Sequence, residues 1–345
     1  MIHVLAAHFL LLLVRFSVNF TVKAIIATSY GGPEQLQLKE VEKPSPRPNE
    51  VLVRVFAVSI NDWDWALLQG DVVNRLLNGI SRPRRQIFGS DVAGKVETVG
   101  EKVTRFRPGD EVFGDLSGNW GGFAEYVCAD ENALGHKPAA MRFEQAASIP
   151  QAGMLAAQGL IDAGRVKPGE KVLLNGAGGG VGTFALQILK PLGVEVTAVD
   201  SAEKLEMLRN LGAVYTLDYK TQDFTKTGAR YDLILDTKTN RSPFAYLRAL
   251  NPGGRYITVG GSISRLLQCL VYKPFISAFT NKKVIVVALK PNKDLDYFSD
   301  LFTSGQLEPV IDGPYTLEQT PEAFRIYARG EHKGKMVIRV VADSL

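Results

Sequence analysis

Residues 171–174, Lys-Val-Leu-Leu, form a short apolar run entered through a Lys167-Pro168-Gly169-Glu170 turn. They empty directly into Asn175-Gly176-Ala177-Gly178-Gly179-Gly180-Val181-Gly182. Beyond the glycines, Val181, Ala185 and Ile188 recur at helical spacing until Pro191 and Gly193 stop the helix. A buried strand, a glycine-rich turn and a covering helix in that order are the opening of a parallel α/β unit. The alternation continues with a strand at 194–199, a helix at 203–211 ending at Gly212, and strands at 214–217 and 231–235. A helix at 243–250 then breaks at Asn251-Pro252-Gly253-Gly254, and strands follow at 256–259 and 284–289. Six strands with crossover helices predict a doubly wound parallel sheet.

The glycine-rich turn does not satisfy G-x-G-x-x-G, because no start position places glycines at offsets 0, 2 and 5. What fits is Ala177-x-Gly179-x-x-Gly182, with alanine in the first glycine's place. Context makes this a dinucleotide cradle: it follows a strand, opens a helix, and is trailed by Asp200 at the end of the next strand, 18 residues after Gly182. Gly179 is expected to let the backbone approach a pyrophosphate and Gly182 to let the helix press on the sheet. The N–H groups from Val181 onward face the phosphate charge. The cradle is therefore assigned to Ala177, Gly178, Gly179, Gly180, Val181 and Gly182. Asp200 suits the ribose hydroxyls of NADH and would repel a 2′-phosphate. Ser201 and Lys204 follow at once and argue for NADPH, so the cofactor is read as NAD(P)H with a lean towards NADH.

The front of the chain has a different grammar. Short strands at 22–30, 36–44, 51–55, 92–99, 111–114 and 123–128 are punctuated by Gly and Pro-Gly turns, and in the third the period of two makes Val51, Val53 and Val55 one buried face. Two helical segments, 295–303 and 321–329, and a last strand at 336–341 follow the parallel sheet, and that strand is expected to return to the first domain. The first 22 residues stand apart. Their apolar run, 4–14, is too short to span a bilayer, has no Lys or Arg before it and is followed by no small-residue cleavage site. They are read as an extension, with a cytoplasmic protein expected and an organelle-targeting or membrane-associating role for residues 1–22 as the alternative.

A net charge of +4 over 345 residues and an isolated Arg82-Pro83-Arg84-Arg85 cluster without interleaved aromatics give no nucleic-acid footprint. Two cysteines, Cys128 and Cys269, provide neither a disulfide framework nor a cysteine-rich zinc site.

Several further motifs stand at consistent places: Asn61-Asp62-Trp63-Asp64, Gly89-Ser90-Asp91-Val92-Ala93-Gly94, Arg107-Pro108-Gly109-Asp110-Glu111-Val112, Gly121-Gly122-Phe123-Ala124-Glu125-Tyr126, Leu211-Gly212-Ala213 and Gly334-Lys335-Met336-Val337. With the cradle, they make residues 22–341 resemble the medium-chain dehydrogenase/reductase superfamily, in its zinc-independent quinone oxidoreductase and enone reductase branch. The resemblance implies a GroES-like β-barrel catalytic domain, residues 22–145 completed by 295–345, beside a Rossmann domain at 146–294, with residues 1–21 as an N-terminal extension. Zinc members carry Cys where Asn61 stands and Gly-His-Glu where Gly89-Ser90-Asp91 stands, so no zinc is expected. The chemistry implied is hydride transfer from NAD(P)H to a small-molecule electron acceptor, a quinone or an α,β-unsaturated carbonyl. Asn61 and Asp64 are the candidate catalytic residues, with loop architecture as the alternative reading of both. Trp63 and Trp65 flank them as candidate pocket walls, with buried packing as the alternative reading. Gly260, Gly261 and Ser262 are the candidate nicotinamide support. Leu155, where many relatives have Thr, and the altered 236–240 loop leave a second reading open: a non-catalytic dinucleotide-binding protein of the same fold. No nucleic acid and no integral membrane insertion are expected, and a homodimer is among the states the resemblance allows.

Overall fold

The computed structural model describes residues 20–341; the extension and targeting readings of residues 1–19 lie outside them. Alternating apolar residues build the first sheet. Strands β1 (Thr21–Ala27) and β2 (Leu36–Glu42) pair antiparallel as a separate ribbon. β3 (Glu50–Ser59), β4 (Asp91–Val99), β5 (Glu111–Asp115), β6 (Tyr126–Asp130) and β7 (Gly135–His136) supply the barrel. Val51, Val53 and Val55 of β3 are all fully buried, as their period requires.

The second sheet is made of β8 (Lys171–Asn175), β9 (Glu195–Asp200), β10 (Tyr215–Asp218), β11 (Tyr231–Asp236), β12 (Leu250–Thr258) and β13 (Lys283–Val286). All five pairings are parallel, in the order β10-β9-β8-β11-β12-β13. The order reverses between β8 and β9 on one side and β11 on the other, which is where a doubly wound sheet opens a ligand crevice.

The chain then re-enters the first sheet. β14 (Ile311–Thr316) pairs with β15 (Lys335–Arg339), and β15 pairs antiparallel with β3, giving the order β14-β15-β3-β4-β5-β7 with β6 also on β3. Before that return, the helix Leu295–Thr303 packs on the parallel-sheet domain, with Phe298 edge-on to Phe184 at 6.1 Å. A continuous core joins the two sheets, running from Ala57, Ala93 and Phe113 to Ala152, Phe184 and Leu233.

Two stretches without an assigned element in the sequence reading are helical. Residues 61–80 contain helices Asp62–Gln69 and Val72–Asn78, and residues 262–280 contain the 17-residue helix Ile263–Phe279. The second is interrupted by Pro274 and buries only Cys269 and Ile276, so its apolar period does not mark a core-facing stripe.

Candidate functional site

The glycine-rich turn connects β8 to the helix Gly180–Leu189, with Gly179 in extended geometry as N-cap. Its glycines serve different constraints. A Cβ on Gly182 would lie 2.3 Å from the Ala177 carbonyl oxygen and 2.4 Å from Ala177 Cα, so the helix can only start here if that side chain is absent. A Cβ on Gly179 would meet no protein atom closer than 3.8 Å. Protein packing therefore dictates Gly182, whereas Gly179 keeps backbone accessible to a ligand. Ala177 itself is fully buried and donates its N–H to the Val199 carbonyl at 3.1 Å, which explains how alanine is accommodated at the first position.

Asp200 lies beneath this turn. One of its oxygens accepts the Gly178 N–H at 2.7 Å and the other the Ser201 N–H at 2.9 Å, with Lys204 Nζ at 3.4 Å. Lys204 also donates to the Gly330 carbonyl at 2.8 Å, and its burial pulls the ammonium below the usual lysine range. Ser201 is buried beside them.

Gly260, Gly261 and Ser262 follow β12 and lead into the helix Ile263–Phe279. They rest on the 237–239 turn: Gly260 O accepts Thr258 Oγ1 at 2.9 Å and also Thr239 Oγ1, while Gly261 has φ +111° and no room for a side chain against Thr239. The unusual Asp236-Thr237-Lys238-Thr239 sequence is held tightly. Asp236 Oδ1 accepts the Lys238 and Thr239 N–H groups and the Asn175 amide, and Thr237 Oγ1 donates to Asn175 O.

On the barrel side Asn61 is 4% exposed and caps the helix Asp62–Gln69. Asp64, fully buried, accepts the Asn61 N–H at 2.9 Å and the Gly89 N–H at 2.8 Å, so both its oxygens hold backbone. Burial pushes its carboxyl up to about 7 against the pull of those two donors. The Asn61 amide has a fixed orientation: Nδ2 donates to Ser90 Oγ at 3.2 Å and Oδ1 accepts from Lys335 Nζ. Lys335 is 4% exposed and sits 3.2 Å from Asp91, which in turn takes Ser59 Oγ and the Gln151 N–H. Trp63 is exposed and Trp65 packs into the barrel core; Leu155 is half-buried.

Lys335 and His332 were named by no single-residue argument, since both lie on the return segment some 150 residues from the cradle. The segment is stitched to it: Gly334 donates its N–H to Gly178 O at 2.8 Å and pairs with Gly179 as an isolated bridge. His332, buried and stacked on Tyr327 at 4.8 Å, has no hydrogen-bond partner for Nδ1 among the described residues. Its Nε2 comes within 3.9 Å of a Cβ built on Gly179. Burial, with Lys204, Lys238 and Lys335 nearby, lowers its imidazole to about 3. The only signal in the sequence was the Gly334-Lys335 pair at the head of the last strand. An uncovered glycine backbone, an orphaned buried imidazole and three surrounding cations suit the diphosphate of a dinucleotide. The two cysteines are poor nucleophiles, because burial pushes each thiol up to about 11. No group of three or more His, Cys, Asp or Glu among the described residues is arranged to hold a metal.

Comparison with known proteins agrees with this architecture. Residues 47–139 match the alcohol dehydrogenase GroES-like domain, and residues 211–338 match a family described as zinc-binding dehydrogenase. The chloroplastic quinone-oxidoreductase QR1 of Triphysaria versicolor is 30% identical over 89% of this chain and 95% of its own. The mitochondrial NAD(P)H oxidoreductase RTN4IP1 of Bos taurus is 32% identical over 85% of this chain and 82% of its own. Among solved structures, the quinone oxidoreductase from Coxiella burnetii superposes with a TM-score of 0.83 at 28% identity, over 93% of this chain and all of that one. The expected cytoplasmic location is corrected by these relatives, whose names place them in chloroplasts and mitochondria.

Proposed function

This chain belongs to the medium-chain dehydrogenase/reductase superfamily, in the zinc-independent quinone-oxidoreductase and enone-reductase branch, and from that premise we infer how its residues divide the work of an NAD(P)H-dependent oxidoreductase. The Gly178–Gly182 backbone and His332 hold the cofactor's diphosphate. Asp200 and Lys204 hold the adenosine ribose, and the backbone of Gly260 to Ser262 supports the nicotinamide. When bound, the reduced nicotinamide supplies a hydride.

NADH is the preferred cofactor in this reading. The Asp200 carboxylate stands at the cradle, and the ammonium of Lys204 is already engaged by Asp200 and Gly330 O, leaving a 2′-phosphate an uncompensated negative neighbour. Asn61 orients the acceptor. With Oδ1 committed to Lys335, the amide offers N–H rather than C=O, which suits a carbonyl or quinone oxygen gaining negative charge. Asp64 keeps the turn around Asn61 in shape. Without a metal-ligand set at Asn61 and Ser90, polarisation of an alcohol is not supported, and acceptors that are already electron-poor are.

The carrying observation is that the cradle and the Asn61 cluster are one connected site, joined through Gly334 and Lys335. The test follows NADH and NADPH consumption optically with a panel of quinones and α,β-unsaturated ketones. Turnover with at least one class is expected. Tight nucleotide binding with no turnover on any acceptor would favour the non-catalytic dinucleotide-binding reading.

A further inference from the structure

Residues 237–293 contain no Asp or Glu and ten Lys or Arg, in a chain whose net charge is only +4. Ion pairs engage Arg241, Arg255 and Lys293 of these ten and leave the other seven, including Arg248, Lys273 and Lys283, without one among the described residues. At the centre of this basic stretch is the helix Ile263–Phe279. Ile263, Leu267, Val271, Phe275 and Phe279 follow one another at intervals of four, and all five face solvent, Phe279 at 84% exposure. Leu270 and Tyr272 widen the stripe, and Tyr272 carries it across to exposed Phe244 at 5.1 Å. Beside the helix end is a hollow of ≈ 440 Å³ lined by Arg230, Phe244, Leu247, Arg248, Thr280 and Lys282.

A contiguous apolar row of this kind on a protein surface marks an interaction site. Its chemistry selects the occupant. A second copy docking by two-fold symmetry would face the stripe's cations with the same cations, and no carboxylate in the stretch would offset them. A convex helix with Phe, Tyr and Leu on one side and Lys and Arg around it matches a lipid interface. There the apolar side chains enter the acyl boundary and the cations meet phosphate headgroups. At 17 residues with an internal proline the helix lies on a bilayer rather than crossing it; no described helix is long and apolar enough to cross one. The helix also starts at the cleft, since its N-cap is Ser262 and a Cβ on Gly260 would lie 3.9 Å from Asp62 Oδ2, next to Asn61.

We propose that the helix Ile263–Phe279 and the cationic hollow at its end dock this protein on an anionic membrane surface, so that the cleft takes its electron acceptor from the bilayer. The acceptor class rests on the oxidoreductase reading above; the docking surface does not.

The full chain is sedimented with vesicles of phosphatidylcholine alone and of phosphatidylcholine with phosphatidylglycerol, at low and high salt. The variant L267S/V271S/F275S and the charge variant K273E/K283E are compared with the parent. Activity on a water-soluble quinone is measured alongside and reports separately on the oxidoreductase reading. The parent is expected to pellet with the anionic vesicles and to be released by salt. The triple variant should lose at least about tenfold in partitioning, and the charge variant should lose its preference for the anionic lipid, each with activity on the soluble acceptor retained. Equal partitioning of parent and both variants would overturn the proposal. So would a parent that ignores vesicles while light scattering shows the triple variant falling from dimer to monomer, which would mark a second copy as the occupant. Retention on immobilised polyglutamate without vesicle binding would overturn it in favour of an acidic protein.

Discussion

His332 and Asp64 are buried titratable groups whose environments push in directions that make opposite demands on pH. The His332 imidazole titrates at about 3 in the folded chain against 6.5 in an unperturbed one. Between those values the unfolded chain binds a proton that the folded chain refuses. His332 thus costs stability as pH falls below 6.5, by up to about 1.4 kcal/mol per pH unit. Asp64, raised from 3.8 to about 7, acts the other way and favours the folded chain at low pH, an advantage lost as pH rises through 7. Thermal denaturation of His332→Gln across pH 4 to 7 should show a shallower loss on acidification than the parent; an unchanged slope would mean that the imidazole is solvated and free to protonate. At Asp200, replacement by Ser should shift the ratio of kcat/KM values towards NADPH by about tenfold or more, since it removes a fixed charge and frees Lys204. A parent already strongly selective for NADPH would show that Asp200 serves only the Gly178 and Ser201 amides.

At the scale of an element, the strand-turn-helix unit separates two uses of glycine. Gly182→Val drives a side chain into Ala177 from 2.3 Å and should destabilise the fold by about 3 kcal/mol or more along with nucleotide binding. Gly179→Ala meets nothing inside 3.8 Å, and should leave the melting temperature near that of the parent while weakening nucleotide binding. Calorimetric unfolding together with a nucleotide titration distinguishes them, and equal destabilisation by both would refute the division. The helix Asp62–Gln69 has a comparable split: Asp64 secures Asn61 and Gly89, while the Asn61 amide is held between Ser90 and Lys335. Asn61→Ala should lower kcat with little change in nucleotide affinity, read by turnover and binding measured on the same preparation.

For the molecule as a whole, the last strand joins what the sequence keeps far apart. β15 completes the barrel through β3, sets Gly334 on Gly178, and places Lys335 between Asp91 and Asn61. Lys335→Met leaves Asp91 buried without its cation, and should cost about 3–5 kcal/mol in urea unfolding as well as lowering turnover. Replacing Asp91 by Asn in the same background should recover part of the stability but not the turnover. A single variant as stable as the parent would show that the buried pair is not formed.

The parallel sheet, the barrel, the glycine-rich turn between strand and helix and the oxidoreductase family were all legible in the chain, because strand and helix periods, turn glycines and short motifs are local properties that survive without coordinates. Val51, Val53 and Val55 declared their buried face, and the Ala177-x-Gly179-x-x-Gly182 spacing declared its place between a strand and a helix. Other features were decided only by the fold. Asp200 and Asp64 look alike as bare carboxylates, yet one lies under the cradle and the other inside a turn, a difference made by which backbone N–H groups reach them. His332 and Lys335 acquire their roles from β15 returning across the site, a contact between residues more than a hundred positions apart. The stripe of the helix Ile263–Phe279 has the same period that a buried helix would have, and periodicity alone says which residues share a face but not which face meets the core. Burial, charge pairing and hydrogen-bond satisfaction are properties of neighbours, and only the tertiary structure supplies the neighbours.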